Sequence, residues 1–150
     1  MRAVIQRVSK AHITINSTSE KQIGAGLVVL VGIEEGDGLP DIEWLSGKIC
    51  RLRIFDDTAG VMNRSIQDTG GAVMVVSQFT LHASTRKGNR PSYIRAAPPP
   101  VAIPIYDAFV DQMERLLQRQ VVTGVFGASM SITLTNEGPV TIIIDTKNRA

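Results

Sequence analysis

Apolar residues along this chain fall into two patterns: alternation over short stretches, and unbroken runs with no polar face. Alternation governs residues 2–8 and 11–16, which read as two strands joined at Ser9-Lys10. In the second, Ala11, Ile13 and Ile15 share one face while His12, Thr14 and Asn16 share the other. Residues 17–22 are polar and read as a turn. The run Gly26-Leu27-Val28-Val29-Leu30-Val31-Gly32-Ile33 lacks a polar face and is rich in β-branched residues, as expected of a strand covered on both sides. Gly36-Asp37-Gly38 ends it. Pro40 suits the first turn of a helix whose apolar stripe is Ile42, Leu45, Ile49 and Leu52.

Further along, residues 54–57 lead into a turn at Ala59-Gly60 and a short extended piece at Val61-Met62. Residues 72–81 form the most strand-like run of the chain. Pro98-Pro99-Pro100 halts any helix, and Pro104 is expected in the first turn of a helix over residues 105–120. Its stripe is Ile105, Phe109, Met113, Leu116 and Leu117. The last strands, 129–135 and 140–145, meet at Asn136-Glu137-Gly138-Pro139-Val140-Thr141, which reads as a stiff hairpin turn. About seven strands and two helices imply one α+β domain over residues 1–150. The expected architecture is curved, mostly antiparallel β-sheet layers with two helices packed on one side. Two helices cover only part of so much apolar sheet, so a homodimer is expected.

Composition adds limits. With 43% hydrophobic and 20% charged residues the chain reads as soluble and globular. No apolar run approaches the roughly 20 residues of a membrane span, and the N-terminal residues lack a signal-peptide pattern. The single cysteine, Cys50, fits a reducing compartment, so the cytoplasm is expected. A formal charge of +2 is too small to imply a polyanionic partner, so any basic footprint must be local. His12 and His82 stand alone, without ligand spacing, and neither metal nor cofactor is expected.

Candidate chemistry starts where the apolar run 72–76 becomes Ser77-Gln78-Phe79-Thr80. If the strand continues, Ser77 and Phe79 point one way, and Gln78, Thr80 and His82 the other. Buried Gln or Thr side chains need partners, and a ligand is one kind of partner. No nucleophile has an evident base, and no G-x-S-x-G, Walker or Rossmann pattern occurs. Asp56-Asp57 reads as a solvated turn and Cys50 as a core residue. The loop Arg86-Lys87-Gly88-Asn89-Arg90, with Arg95 beyond it, reads either as a solvated loop or as a phosphate-backbone contact.

Ser77-Gln78-Phe79-Thr80-Leu81 followed by Asn136-Glu137-Gly138-Pro139-Val140-Thr141 resembles the two signature motifs of the D-aminoacyl-tRNA deacylases. The resemblance runs along the chain through Met1-Arg2-Ala3-Val4-Ile5-Gln6-Arg7-Val8, Trp44-Leu45, Leu52-Arg53-Ile54-Phe55 and Arg86-Lys87-Gly88. It continues through Arg90-Pro91-Ser92, Ala97-Pro98-Pro99 and Thr123-Gly124-Val125-Phe126-Gly127. Glu137, where the family often has Asp, and His82, where Tyr is common, are departures.

This resemblance implies a homodimeric enzyme that hydrolyses D-aminoacyl-tRNA to free D-amino acid and tRNA, and also removes glycine mischarged on tRNA(Ala). It implies that Ser77, Gln78, Phe79 and Thr80 line the catalytic pocket and hold the terminal adenosine and ester. Gly138 and Pro139, joined by a cis bond, would enter the partner subunit's pocket as the filter that rejects L-aminoacyl esters, with Arg7 and Asn136 in support. The tRNA acceptor end would meet Arg86, Lys87 and Arg90. The ribose 2′-hydroxyl would assist in place of a side-chain base. Two alternatives remain: Thr80 as the acyl-accepting nucleophile, and a non-catalytic tRNA-binding dimer.

Overall fold

In the computed structural model, which describes residues 1–150, the chain opens with β1 (Arg2–Ile15), β2 (Ser19–Ile23) and β3 (Gly26–Gly32). Then follow α1 (Leu39–Arg51), β4 (Phe55–Asp56), β5 (Met62–Arg64), α2 (Ile66–Thr69) and β6 (Ala72–Ser77). A 3-10 turn (Phe79–His82), α3 (Pro99–Leu117), β7 (Val122–Thr123) and β8 (Met130–Asp145) complete it. The class is α+β and rich in strand, with α2 a third, one-turn helix.

The strand β1 organises the sheet. It is one strand where two were expected, because Ser9 and Lys10 are exposed and need no apolar cover, and the ladder continues through Lys10, opposite Thr135. Its first half pairs antiparallel with β3 and its second half with β2, while β8 runs antiparallel along its whole other edge. The polar stretch expected as a turn therefore contains β2, and the reversal itself needs only Asn16, Ser17 and Thr18. Asn16 and Ser17 take positive φ there, and Asn accommodates that region better than most residues. Beyond β3 the order continues to β6 and β7 through parallel ladders.

Alternate residues of β3 point to two cores. Leu27, Val29 and Val31 face α1 and α3, packing with Ile42, Leu45, Ile49, Phe109 and Met113. Val28, with Met74 and Val76 of β6, faces the concave side, where Ala11, Ile13, Ile15 and Ile23 close over it as the sheet curls. Both faces of β3 are covered, as its unbroken apolar run required. Cys50 is wholly buried, with its sulfur 3.7 Å from that of Met113. Burial pushes its thiol up to about 11, which suits packing and not nucleophilic attack.

Two boundaries differ from expectation. The long helix begins at Pro99 and Pro100, where a missing N–H costs nothing, and Pro104 lies inside it. The strand β6 stops at Ser77, and Leu81 N–H donates to Gln78 O at 3.2 Å as the chain winds into the 3-10 turn.

Candidate active site

Because β3 and β6 are parallel, with Val31 opposite Ser77, their carboxyl ends open side by side. A cavity of about 290 Å³ lies there. Val31, Ile33, Val76, Ala97 and Ala102 supply apolar wall from the strand ends, α3 and the residues just before it, and Phe126, Met130 and Ile132 close the far side. Ser77 and Gln78 bring the polar rim, with the Phe79 ring beside them. Crevices at the carboxyl ends of parallel strands are common ligand sites, since the chain leaves each strand there and frees backbone groups.

The turn that carries these residues is pinned. Gln78 N–H donates to Val31 O at 2.8 Å, and the Arg2 guanidinium donates to Leu81 O at 2.7 Å while pairing with Asp145 at 2.8 Å. Phe79 and Thr80 open the turn, where the first N–H groups have no acceptor within it. Gln78 Nε2 donates to Thr80 Oγ1, so that hydroxyl already has a partner. The period-two expectation fails here: His82 does not share a strand face with Thr80. It is buried beneath the turn, and neither ring nitrogen has a hydrogen-bond partner. No base is hydrogen-bonded to Thr80.

The other signature segment is a bulge within β8 and not a hairpin turn. Gln6 pairs with Thr141 and Lys10 with Thr135, so four steps along β1 face six along β8, leaving two extra residues on β8. Residues 136–139 are exposed on this bulge, outside the cavity of their own chain. The Gly138-Pro139 bond is cis, and Gly138 has φ +123°, a region that favours glycine. A Cβ there would meet Val140 Cγ2 at 2.9 Å and Arg7 Nη2 at 3.0 Å. Arg7, nearly buried in β1, donates to Glu137 O at 3.1 Å and to Ile54 O at 2.7 Å, with Asp56 at 3.5 Å. Asn136 ends the bulge opposite Val8.

The single chain thus brings Ser77, Gln78, Phe79 and Thr80 together, and sets Gly138, Pro139, Asn136 and Arg7 on a separate surface. Arg86, Lys87 and Arg90 are exposed and make no ion pair, on a loop closed by reciprocal Ser84–Ser92 hydrogen bonds of 2.8 and 2.9 Å. Ala102, Met130 and Ile132 were not expected at the site. An alanine on a helix and alternating residues of an edge strand carry no local signal of a cavity.

The fold is shared with the solved structure titled a probable eukaryotic D-amino acid tRNA deacylase, at a TM-score of 0.84 and 16% identity over 95% of this chain and 97% of that one. A second solved structure, the c-Myc DNA Unwinding Element Binding Protein, matches at a TM-score of 0.92 with 36% identity, covering 97% of this chain and 99% of that one. The family model described as D-Tyr-tRNA(Tyr) deacylase matches residues 4–145. D-aminoacyl-tRNA deacylases of Bacteroides thetaiotaomicron and Parabacteroides distasonis are 56% and 59% identical over 99% of each chain. The chain belongs to the D-Tyr-tRNA(Tyr) deacylase family, a family of hydrolases.

Proposed function

We propose that this protein hydrolyses the ester of D-aminoacyl-tRNA, releasing free D-amino acid and tRNA, and that it also removes glycine mischarged on tRNA(Ala). The observation that carries the mechanism is a pocket whose rim, Ser77 to Phe79, leads into a turn with free backbone N–H donors, while no base is bonded to the Thr80 hydroxyl in that turn. An aminoacyl ester is already activated, so positioning and a backbone oxyanion site can supply what a triad supplies elsewhere. The terminal ribose and aminoacyl group occupy the cavity, and the ester oxygen faces the start of the 3-10 turn. Water adds to the carbonyl carbon, the bond to the ribose 3′ oxygen breaks, and that oxygen leaves with a proton. The neighbouring 2′-hydroxyl of the ribose relays the proton from the attacking water.

Selectivity follows from exclusion. In a homodimer, the exposed Gly138-Pro139 bulge of one protomer enters the cavity of its partner and leaves no room for an L side chain. Glycine, having no side chain, passes the same wall. The exposure of the bulge, its separation from its own cavity and its fixation by Arg7 support this reading. This reading gives Thr80 no acyl-acceptor role, which is supported by its hydroxyl accepting from the Gln78 amide and having no base bonded to it. Charged substrate reaches the site along Arg86, Lys87 and Arg90, in the cytoplasm.

Purified protein incubated with D-Tyr-, L-Tyr- and Gly-charged tRNA tests the proposal. Rapid loss of the D and Gly esters and survival of the L ester are expected. Hydrolysis no faster than in buffer, by folded protein that still binds tRNA, would leave only the binding module.

A further inference from the structure

Beside the cavity mouth, Phe79 and Tyr93 form an edge-to-face pair, with ring centroids 5.1 Å apart and planes at 74°. Both rings remain open to solvent, at 53% and 39% exposure, and Ile94 beside them is 90% exposed. An aromatic pair in a core would bury these surfaces, and nothing in the chain covers them. The same segment is one-signed: residues 83–95 include Arg86, Lys87, Arg90 and Arg95 and no carboxylate. Only Arg95 has an acidic partner, Glu34 at 2.9 Å. The Ser84–Ser92 hydrogen bonds fold the basic loop back on itself and set Tyr93 directly after the closing pair, so the loop's cations and the aromatic pair are neighbours along the chain.

We propose that Phe79, Tyr93 and Ile94 form a stacking shelf for the unpaired nucleotide that precedes the esterified adenosine, with Arg86, Lys87 and Arg90 holding its phosphates. The chemistry favours single-stranded RNA over other partners. Exposed π-faces accept any unstacked base, and an adjoining acid-free basic loop accepts the backbone that must accompany it. In an edge-to-face pair, one ring offers only its edge to the other, so at least one ring face stays free for a base. Continuity with the cavity assigns the nucleotide. Phe79 both lines the cavity and belongs to the pair, so the residue outside the cavity is one step from the residue inside it. This shelf rests on the deacylase reading for the identity of the RNA end, but its existence can be tested without catalysis.

The test uses full-length protein and two measurements. An uncharged acceptor-stem RNA with 2-aminopurine in place of the nucleotide before the terminal adenosine reports stacking directly by fluorescence quenching. Wild-type protein should quench it. Tyr93→Ala should weaken the quenched complex by roughly 5-fold or more, the lower end of a lost base–aromatic stack, and Tyr93→Phe should restore it. In turnover, Tyr93→Ala should raise KM for D-Tyr-tRNA more than it lowers kcat. The loss in kcat/KM should exceed the loss on D-Tyr-adenosine ester, which lacks the nucleotide, by about fivefold or more. Absence of quenching, equal losses on both substrates, or dissociation of a Tyr93→Ala dimer in sedimentation would overturn the shelf. The last outcome would show that the rings meet a second copy of the chain. Wild-type protein that quenches the RNA yet hydrolyses neither ester would refute the deacylase reading and leave the shelf standing.

Discussion

Gly32 closes β3 directly against the 3-10 turn, and the contact makes a quantitative prediction. A Cβ added there would lie 2.9 Å from Gln78 O, 3.0 Å from His82 Cδ2 and 3.1 Å from Leu81 Cβ. None of these atoms is the free end of a flexible chain: one is backbone, one a buried ring, one a Cβ. The turn must therefore retreat by a few tenths of an ångström, pulling on the 2.8 Å bond from Gln78 N–H to Val31 O. Overpacking of this kind costs about 1–3 kcal/mol. For a chain of this size that lowers Tm by roughly 2–12 °C. The catalytic consequence is larger in proportion. If a 1 Å misplacement costs about 100-fold in rate, a shift of about half that should lower kcat/KM for D-Tyr-tRNA about tenfold in Gly32→Ala. Gly47→Ala is the control, because the atoms nearest its Cβ are the flexible guanidinium end of Arg51, 3.0 Å away, inside a helix where Ala is favoured. It should leave Tm unchanged or raised and kcat/KM unaltered. Folded Gly32→Ala with wild-type kcat/KM would refute the idea that close packing of β3 positions the turn.

Four further outcomes are expected. Gly138→Ala, whose Cβ would press on Val140 and Arg7 at φ +123°, should reduce the D/L ratio of kcat/KM about tenfold; an unaltered ratio would remove the bulge from the selectivity mechanism. Thr80→Val removes one hydrogen bond of about 1 kcal/mol and should keep more than about a tenth of kcat/KM. A loss of about 10⁴-fold or greater would instead make Thr80 the nucleophile. Arg86→Ala should lower the slope of log affinity for tRNA against log salt by about 1, and an unchanged slope would place that cation outside the interface. For Asp41, burial alone would raise its carboxyl, but hydrogen bonds from Thr146, Lys147 and the Gly38 N–H outweigh it and hold it at about 2, below the ordinary 3.8. A depressed carboxyl stabilises the fold above its unfolded value, and that contribution, about 2 kcal/mol, disappears as pH falls from about 4 to 2. Urea unfolding should show a shallower loss across that window in Asp41→Asn than in wild type, and parallel curves would contradict the assignment.

How much of this was legible in residues depends on the range of the interaction that decides each feature. The two-sided burial of β3 is written in an unbroken apolar run, and α1 in its stripe and its proline. The end of β6 is not, because Ser77-Gln78-Phe79-Thr80 suits a strand as well as a turn. What decides between them is Val31 O, 47 residues earlier by number, accepting from Gln78 N–H. Likewise Gly138-Pro139 has the local chemistry of a hairpin. Only pairing with β1 on both sides, through Val8 and Gln6, makes it a bulge. The signature motifs pointed to a segment of which Ser77, Gln78 and Phe79 line the cavity, whereas Ala102, Met130 and Tyr93 come to it or beside it through tertiary packing that no nearby residue announces.

The difference between hairpin and bulge matters for what residues 136–139 can do. A hairpin tip is held by one ladder from below and can rock about its base. A bulge is tied at both ends, here through Asn136 to Val8 and Thr141 to Gln6, so its backbone cannot swing without breaking pairs on either side. Between those two anchors lies Arg7, which fills the space under the bulge and donates to Glu137 O from a side chain itself held by Ile54 O. One short stretch of β1 therefore supplies both the anchors and the buttress. Steric exclusion is only as strong as the wall is stiff, since a wall that yields converts rejection into a modest strain. A backbone bulge braced by three consecutive residues of a strand in the sheet is a stiffer wall than a side chain free to change rotamer. That is the physical case for selectivity residing in Gly138-Pro139, and for Arg7 acting on selectivity through the bulge without touching the substrate.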